Sequence, residues 1–153
     1  MPSYRVTQGA DAKRLTVQVK NLTGDFKRGI RLGFWETGKN LVKTASNEIK
    51  RKKTGRVYKY KGRRIRAGKA GDYHANRSGA NRRSLDFEVK GSSELEFGAN
   101  MPYSSILETG TWDGDKINTK RWRPFIKPTV DKNINKLRAN LRREIGRAFR
   151  GLR

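Results

Sequence analysis

The sequence predicts an α+β fold: a long N-terminal helix packed on a mostly antiparallel sheet of about four to five strands, with a long basic C-terminal helix. Three observations carry this. From Asn21 onward, Leu22, Phe26, Ile30, Phe34, Thr37, Leu41, Ala45 and Ile49 recur every three or four residues, the period of an amphipathic helix with Lys and Arg on its outer face. Leu85, Phe87 and Val89 alternate with charged residues, Gly91-Ser92-Ser93 turns the chain, and Leu95 and Phe97 resume the alternation, which reads as an antiparallel hairpin. After Pro124, the residues Val130, Ile134, Leu137, Leu141, Ile145, Ala148, Phe149 and Leu152 mark one side of a second helix. Its other side carries Lys132, Lys136, Arg138, Arg142, Arg143, Arg147, Arg150 and Arg153.

In chain order, residues 1–13 hold few apolar side chains and are expected to form a flexible arm. Leu15, Val17 and Val19 alternate with polar residues and predict a first strand at the sheet edge. In the first helix, Gly29, Gly33 and Gly38 each cost about 1 kcal/mol of helix propensity and in return allow another backbone or sheet to approach closely. Lys50-Arg51-Lys52-Lys53 favours the negative end of that helix's dipole. Residues 54–77 read as a basic hairpin and loop. Residues 57–60 and 63–66 form the hairpin about Lys61-Gly62, with tyrosines among cations; lacking acidic neighbours, it is not expected to fold back on itself. Residues 67–77 are expected to be a mobile loop. Ser78 is placed as the N-cap of a single turn through Arg83. The 85–97 hairpin is expected at the centre of the sheet, its apolar face on the first helix.

Tyr103, Ile106 and Leu107 recur at helical spacing and Gly110 follows, predicting a brief helix with these three on a buried side. Pro124 and Pro128 suit a helix start, where a missing N–H is tolerated, with Phe125, Ile126 and Val130 docking the corner. The final helix, residues 124–153, is expected to run about 40 Å and to reach beyond its own domain.

The 153 residues suit a single domain. Only 33% of them are hydrophobic, so the core is thin and part of the apolar surface is expected to be covered by neighbouring subunits. No cysteine is present, which excludes disulfides, thiol catalysis and cysteine-ligated zinc. No apolar run is long enough to span a bilayer, so no membrane partner and a soluble, intracellular chain are expected. Lys and Arg total 37 against 14 Asp and Glu, a net charge of +23. Such a chain attracts phosphate backbones, whether as a solvated basic face or as a dedicated binder.

Catalytic chemistry finds little footing. His74 lies in a loop and reads as a lone surface histidine, without the companions a metal site needs. Glu94 and Glu96 share a strand face and are expected to pair with Lys or Arg. Glu108 reads as an ion-pair partner near Arg123; a magnesium site there would need Asp113 or Asp115 to converge on it. No phosphate-binding glycine loop of the nucleotide-triphosphatase type occurs. Catalytic residues, metal and cofactors are therefore all expected to be none. Trp122 reads as packing at a loop end; Trp112 and Trp35 read as subunit anchors, aromatics being enriched at the centre of protein contacts.

The order of motifs adds a resemblance. Tyr103-x-x-x-Leu107-Glu108-x-Gly110-Thr111, a polar loop, and Arg123-Pro124-Phe125-x-x-Pro128-x-Val130 before a terminal helix resemble the tail-completion, or head–tail joining, proteins of long-tailed bacteriophages. Upstream, the long first helix, Thr54-Gly55-Arg56-Val57-Tyr58, Ser78-Gly79-Ala80-Asn81-Arg82-Arg83-Ser84 and Glu94-Leu95-Glu96-Phe97-Gly98-Ala99 agree with it, over roughly residues 20 to 150. The resemblance implies a non-enzymatic virion protein of the neck, assembled in the host cytoplasm. It would form a ring of six copies that completes the tail and joins it to the head-side connector around the DNA channel. Its partners would be itself, the tail tube or tail terminator, the connector and non-specific DNA. Subunit contacts would fall at Tyr103, Leu107, Glu108, Thr111, Trp112, Arg123, Phe125 and Trp35. DNA or acidic partners would meet Arg56, Lys59, Lys61, Arg63, Arg64, Arg66, Arg142, Arg143, Arg147 and Arg150. Two other readings stand beside it: a stand-alone, non-specific nucleic-acid-binding protein and a metal-dependent nuclease.

Overall fold

A computed structural model describes residues 3–6, 14–18, 24–92, 94–113, 116–118 and 122–150, the strands 3–6, 14–18, 111–113 and 116–118 by backbone alone. Val19, Leu22, Leu152, Arg153, Asp115, Lys120 and Arg121 lie outside the described residues.

The chain is α+β with long helices near both ends and antiparallel sheets. Strands β1 (Ser3–Val6) and β2 (Arg14–Gln18) precede α1 (Gly24–Lys50); β3 (Val57–Tyr60), β4 (Arg63–Arg66) and the short α2 (Ala80–Arg83) follow. Then come β5 (Leu85–Lys90), β6 (Glu94–Ala99), α3 (Ser104–Thr109), β7 (Thr111–Asp113), β8 (Lys116–Asn118) and α4 (Ile126–Arg150). The strands divide into a four-stranded sheet in the order β1-β2-β6-β5 and two ribbons, β3-β4, which is the basic hairpin expected apart from the sheet, and β7-β8, which was not expected.

Register explains why the main sheet is apolar on one face. β2 places Leu15 opposite Phe97 and Val17 opposite Leu95, while β5 sets Phe87 and Val89 against the same two residues. Two apolar rows thus cross the sheet, and α1 lies over the β5 and β6 end of it. Phe97, Leu95 and Ala99 join Ile30, Phe34, Leu41, Ala45 and Ile49 of α1 in the core. Two expectations change here. Residues 3–6 pair with β2, so the N-terminal segment is not wholly an arm, and β2 is interior. The hairpin's β5, not β2, has a strand on one side only among the described residues.

The helix glycines mark close approaches. A Cβ at Gly29 would meet the Glu144 backbone, one at Gly33 would meet Leu141, and one at Gly38 would overlap the Phe87 ring. Gly29 and Gly33 therefore let α4 lie against α1, and Gly38 lets the sheet do so. α4 packs along α1 inside the domain rather than reaching beyond it. Its most buried positions are Ile126, Thr129, Asn133, Asn140 and Glu144. The apolar stripe from Val130 to Ile145 is only half-buried. Polar groups at this seam pair with one another: Asn140 Nδ2 donates to Thr37 Oγ1 at 3.3 Å, and Thr44 Oγ1 donates to Asn133 Oδ1 at 3.4 Å.

Candidate functional site

The corner from α3 into α4 explains the motif that carries the resemblance. A helix begins with N–H groups that have no intrahelical acceptor. At α4 the Glu108 carboxylate accepts three of them, from Phe125 at 2.8 Å, Ile126 at 2.9 Å and Lys127 at 2.9 Å. Pro128 comes next and has no N–H to satisfy. One carboxylate and one proline thus complete the first turn, and the negative charge suits the positive end of the helix dipole. Glu108 was expected as an ion-pair partner; what it holds is a helix start. Backbone N–H groups of α4 are invisible to a search for opposite charges, which is why sequence reasoning missed it.

Arg123 fastens the same corner to the preceding loop. Its backbone N–H donates to the Leu107 carbonyl at 2.8 Å, its Nε to the Gly68 carbonyl at 2.8 Å and its Nη1 to the Trp122 carbonyl at 2.7 Å. Trp122 Nε1 donates to the Glu108 carbonyl at 2.6 Å, a packing role as expected for this tryptophan. Phe125, offered as an interface residue, is 0% exposed within the chain's own core, so it presents no surface to a partner. Leu107 packs half-buried on that core, whereas Tyr103 and Ile106 are exposed and Ser104 is the buried residue of α3. Of the three residues expected on the buried side of this helix, only Leu107 packs on the core. Thr111 and Trp112 lie in β7, outside the residues whose side chains are described. Trp35 stands apart from the corner on α1, 52% exposed, its ring 5.1 Å from Phe87 in an edge-to-face contact.

The 67–77 loop is built into the fold, contrary to the mobile loop expected. Tyr73 is buried with its hydroxyl 3.0 Å from Thr129 Oγ1, and Gly71 N–H donates to the Trp122 carbonyl at 3.0 Å. His74 is no surface residue: it is 8% exposed, edge-on to Phe125, with Nε2 3.1 Å from Asn81 Nδ2. Burial, with Lys53 and Arg77 adding repulsion, lowers its pKa to about 4, so it is neutral at pH 7. Gly79 at φ 76° stands at the N-cap position of the α2 turn, and the expected Ser78, one residue earlier, accepts the Ala80 N–H on its Oγ at 3.3 Å.

The basic ribbon turns through Lys61 at φ 47° and Gly62 at φ 76°, the two left-handed residues that match the twist of a tight hairpin. Lys59, Arg63, Arg64 and Arg66 are exposed, as are Arg56 and Lys61, while Tyr58, Tyr60 and Ile65 turn inward. Arg77 stacks over the Tyr58 ring at 4.8 Å, and backbone bonds of 2.9 Å between Gly55 and Ala67 and between Ala67 and Arg56 extend the ladder. On α4, Arg142 and Arg150 are exposed, but Arg143 and Arg147 reach Glu144 Oε1 at 2.8 and 3.0 Å. The hydrogen bond from Arg143 holds the Glu144 carboxyl below its usual pKa. On β6, Glu96 pairs with Lys90 at 2.7 Å, as expected of a strand carboxylate.

Among the described residues no three His, Cys, Asp or Glu side chains gather as a metal site, and no helix is long and apolar enough to cross a membrane. Compared with known proteins, the chain matches no family model, no curated protein and no solved structure.

Proposed function

We propose that the chain is a structural virion protein of a phage neck, which assembles as a homo-oligomeric ring of six copies. The ring completes the tail and joins it to the head-side connector around the DNA channel. The observation that carries the self-assembly is a single surface. Leu32 and Trp35, 48% and 52% exposed, lie three residues apart on the outer side of α1, Trp35 touches Phe87 of β5, and β5 has a bare edge among the described residues. An open strand edge beside a half-exposed tryptophan is a liability in a lone molecule, and a second copy of the chain would cover both. The half-buried stripe of α4 adds apolar surface, with Ile134 and Ala148 outside the group packed on the core. The motif order supplies the neck context, and the exposed cations suit non-specific contact with DNA or acidic neighbouring rings.

Light scattering on nuclease-treated protein, at moderate and high salt, tests this. The expected result is a discrete ring-sized species, or a monomer that becomes one on adding tail tubes. Trp35→Lys should lose the ring while keeping the wild-type circular dichroism spectrum, which reports that the fold survives. A monomer that ignores tail tubes yet binds duplex tightly overturns the neck reading.

That outcome would favour the stand-alone nucleic-acid binder, for which the exposed Lys59, Arg63, Arg64 and Arg66 on one ribbon are the supporting feature. What weighs against the nuclease reading is that Glu108 accepts three backbone N–H groups at the start of α4.

A further inference from the structure

A cavity of about 630 Å³ lies between the β3-β4 ribbon, the 67–82 segment and α3. That volume is in the range of small-molecule sites and is too large for a single ion. Arg77, Arg82 and Arg123 line it, together with Tyr58, Tyr60 and Tyr103, and no acidic side chain does so among the described residues.

Three buried polar atoms in the described part of the chain have no hydrogen-bond partner there, and all belong to residues lining this cavity: Tyr58 Oη, His74 Nδ1 and Arg82 Nε. Leaving such a group unpaired costs about 1–3 kcal/mol, and that all three belong to residues lining one cavity is a pattern that points to a ligand.

The hydrogen-bond chain states what kind. Ser104 Oγ donates to Asn81 Oδ1 at 2.6 Å, which orients the amide so that Asn81 Nδ2 donates to His74 Nε2 at 3.1 Å. His74 is neutral at pH 7, so its proton sits on Nδ1, and that atom is a donor. Arg82 Nε is a donor in any state, and Tyr58 Oη can be one. What all three lack is an acceptor, and one acceptor-rich group would supply it to each. Among oxyanions, arginine's planar fork fits phosphate, and tyrosine faces offer the stacking surface a nucleobase uses.

We propose that this cavity is a nucleotide-phosphate site, in which Tyr58, His74 and Arg82 donate to a phosphate and the tyrosine walls take the attached base. A free nucleotide and an unpaired strand end both supply that phosphate, and the chemistry at the three donors is the same. The site is separate from the α1–β5 surface, and its lining includes Tyr103, Leu107 and Arg123, which the resemblance would place at subunit contacts.

The chain has one histidine, so the imidazole NMR signals of 15N-histidine-labelled, nuclease-treated protein report on His74 alone. Without ligand, the pattern should be that of a neutral ring protonated on Nδ1. Thymidine 5′-monophosphate should shift the Nδ1 signal saturably, and thymidine should bind at least tenfold more weakly. A 5′-phosphorylated thymidine oligonucleotide, compared with the same strand lacking the phosphate, separates a strand end from a free nucleotide. Tyr58→Phe and Arg82→Gln should each weaken binding about tenfold, while Arg142→Gln, removing a charge from α4, should leave it unchanged. An Nδ1 signal unmoved by either phosphate overturns the proposal. So does equal response to inorganic phosphate or to an acidic peptide, and so does equal weakening by Arg142→Gln.

Discussion

His74 shows what a buried side chain does beneath a cationic surface. Its pKa falls from 6.5 to about 4 in the folded chain, because burial disfavours the imidazolium and Lys53 and Arg77 repel it. Above pH 6.5 both folded and unfolded chains hold it neutral. As pH falls from 6.5 toward 4 only the unfolded chain takes up the proton, so stability is lost across that window and no further loss comes from this residue below it. The gap is worth about 3 kcal/mol. Urea denaturation of wild type and His74→Gln at pH 7.5 and 4.5 should show the wild type losing more stability on acidification, by about that amount. Equal losses would mean that the ring is open to solvent. Neither this burial nor the role of Glu108 was legible in the sequence. The histidine's neighbours, Asn81 and Phe125, lie 7 and 51 positions away, and the N–H groups that Glu108 accepts lie 17 to 19 positions on. What periodicity reports is which face a residue shares, and neither contact is within one face.

At the scale of elements, α1, the 85–99 hairpin and α4 were all legible, because each repeats its apolar residues at the spacing of its own backbone. The orientation of α4 was not. Its apolar stripe is half-buried, with Leu141 against Gly33 of α1, and the most buried positions are the polar Thr129, Asn133, Asn140 and Glu144 beside it. The same spacing was present in those polar residues, but a reading weighted by hydrophobicity passes over them. Gly29 and Gly33 are the reason for the rotation, since glycine on α1 lets the α4 backbone come close where larger side chains would hold it off. Close backbones leave room for short polar groups that must then pair. Thr37 Oγ1 donates to the Gly33 carbonyl at 2.7 Å and accepts from Asn140 Nδ2, both of them buried. Thr37→Val keeps the shape but strands the Asn140 amide, and should destabilise by about 1–3 kcal/mol. Adding Asn140→Leu should then cost less than it does alone, because the amide no longer needs a partner. A denaturant double-mutant cycle with no coupling would show that the two side chains do not depend on each other.

For the whole molecule, a net charge of +23 on 153 residues ensures some attraction to DNA, so binding alone cannot locate a function on any surface. Position becomes visible only when charge is removed in equal amounts from different places. The β3-β4 ribbon leaves Lys59, Arg63, Arg64 and Arg66 exposed, held by its turn and by the inward-facing Tyr58 and Tyr60. α4 offers Lys136, Arg138, Arg142 and Arg150, also exposed, whereas Arg143 and Arg147 are drawn to Glu144. Changing either set of four to Gln lowers the net charge equally. If attraction were a property of total charge, both variants would lose the same affinity for duplex DNA and the same salt dependence. If the ribbon grips the duplex, only its variant releases fewer counterions, and the slope of log affinity against log salt should flatten by roughly 0.9 for each phosphate no longer neutralised, about 3 to 4 in all. Titrations between roughly 50 and 200 mM salt resolve a difference of that size. We expect the larger loss from the ribbon, because its four cations are gathered on one short hairpin, whereas the four of α4 are spread along the helix from position 136 to position 150.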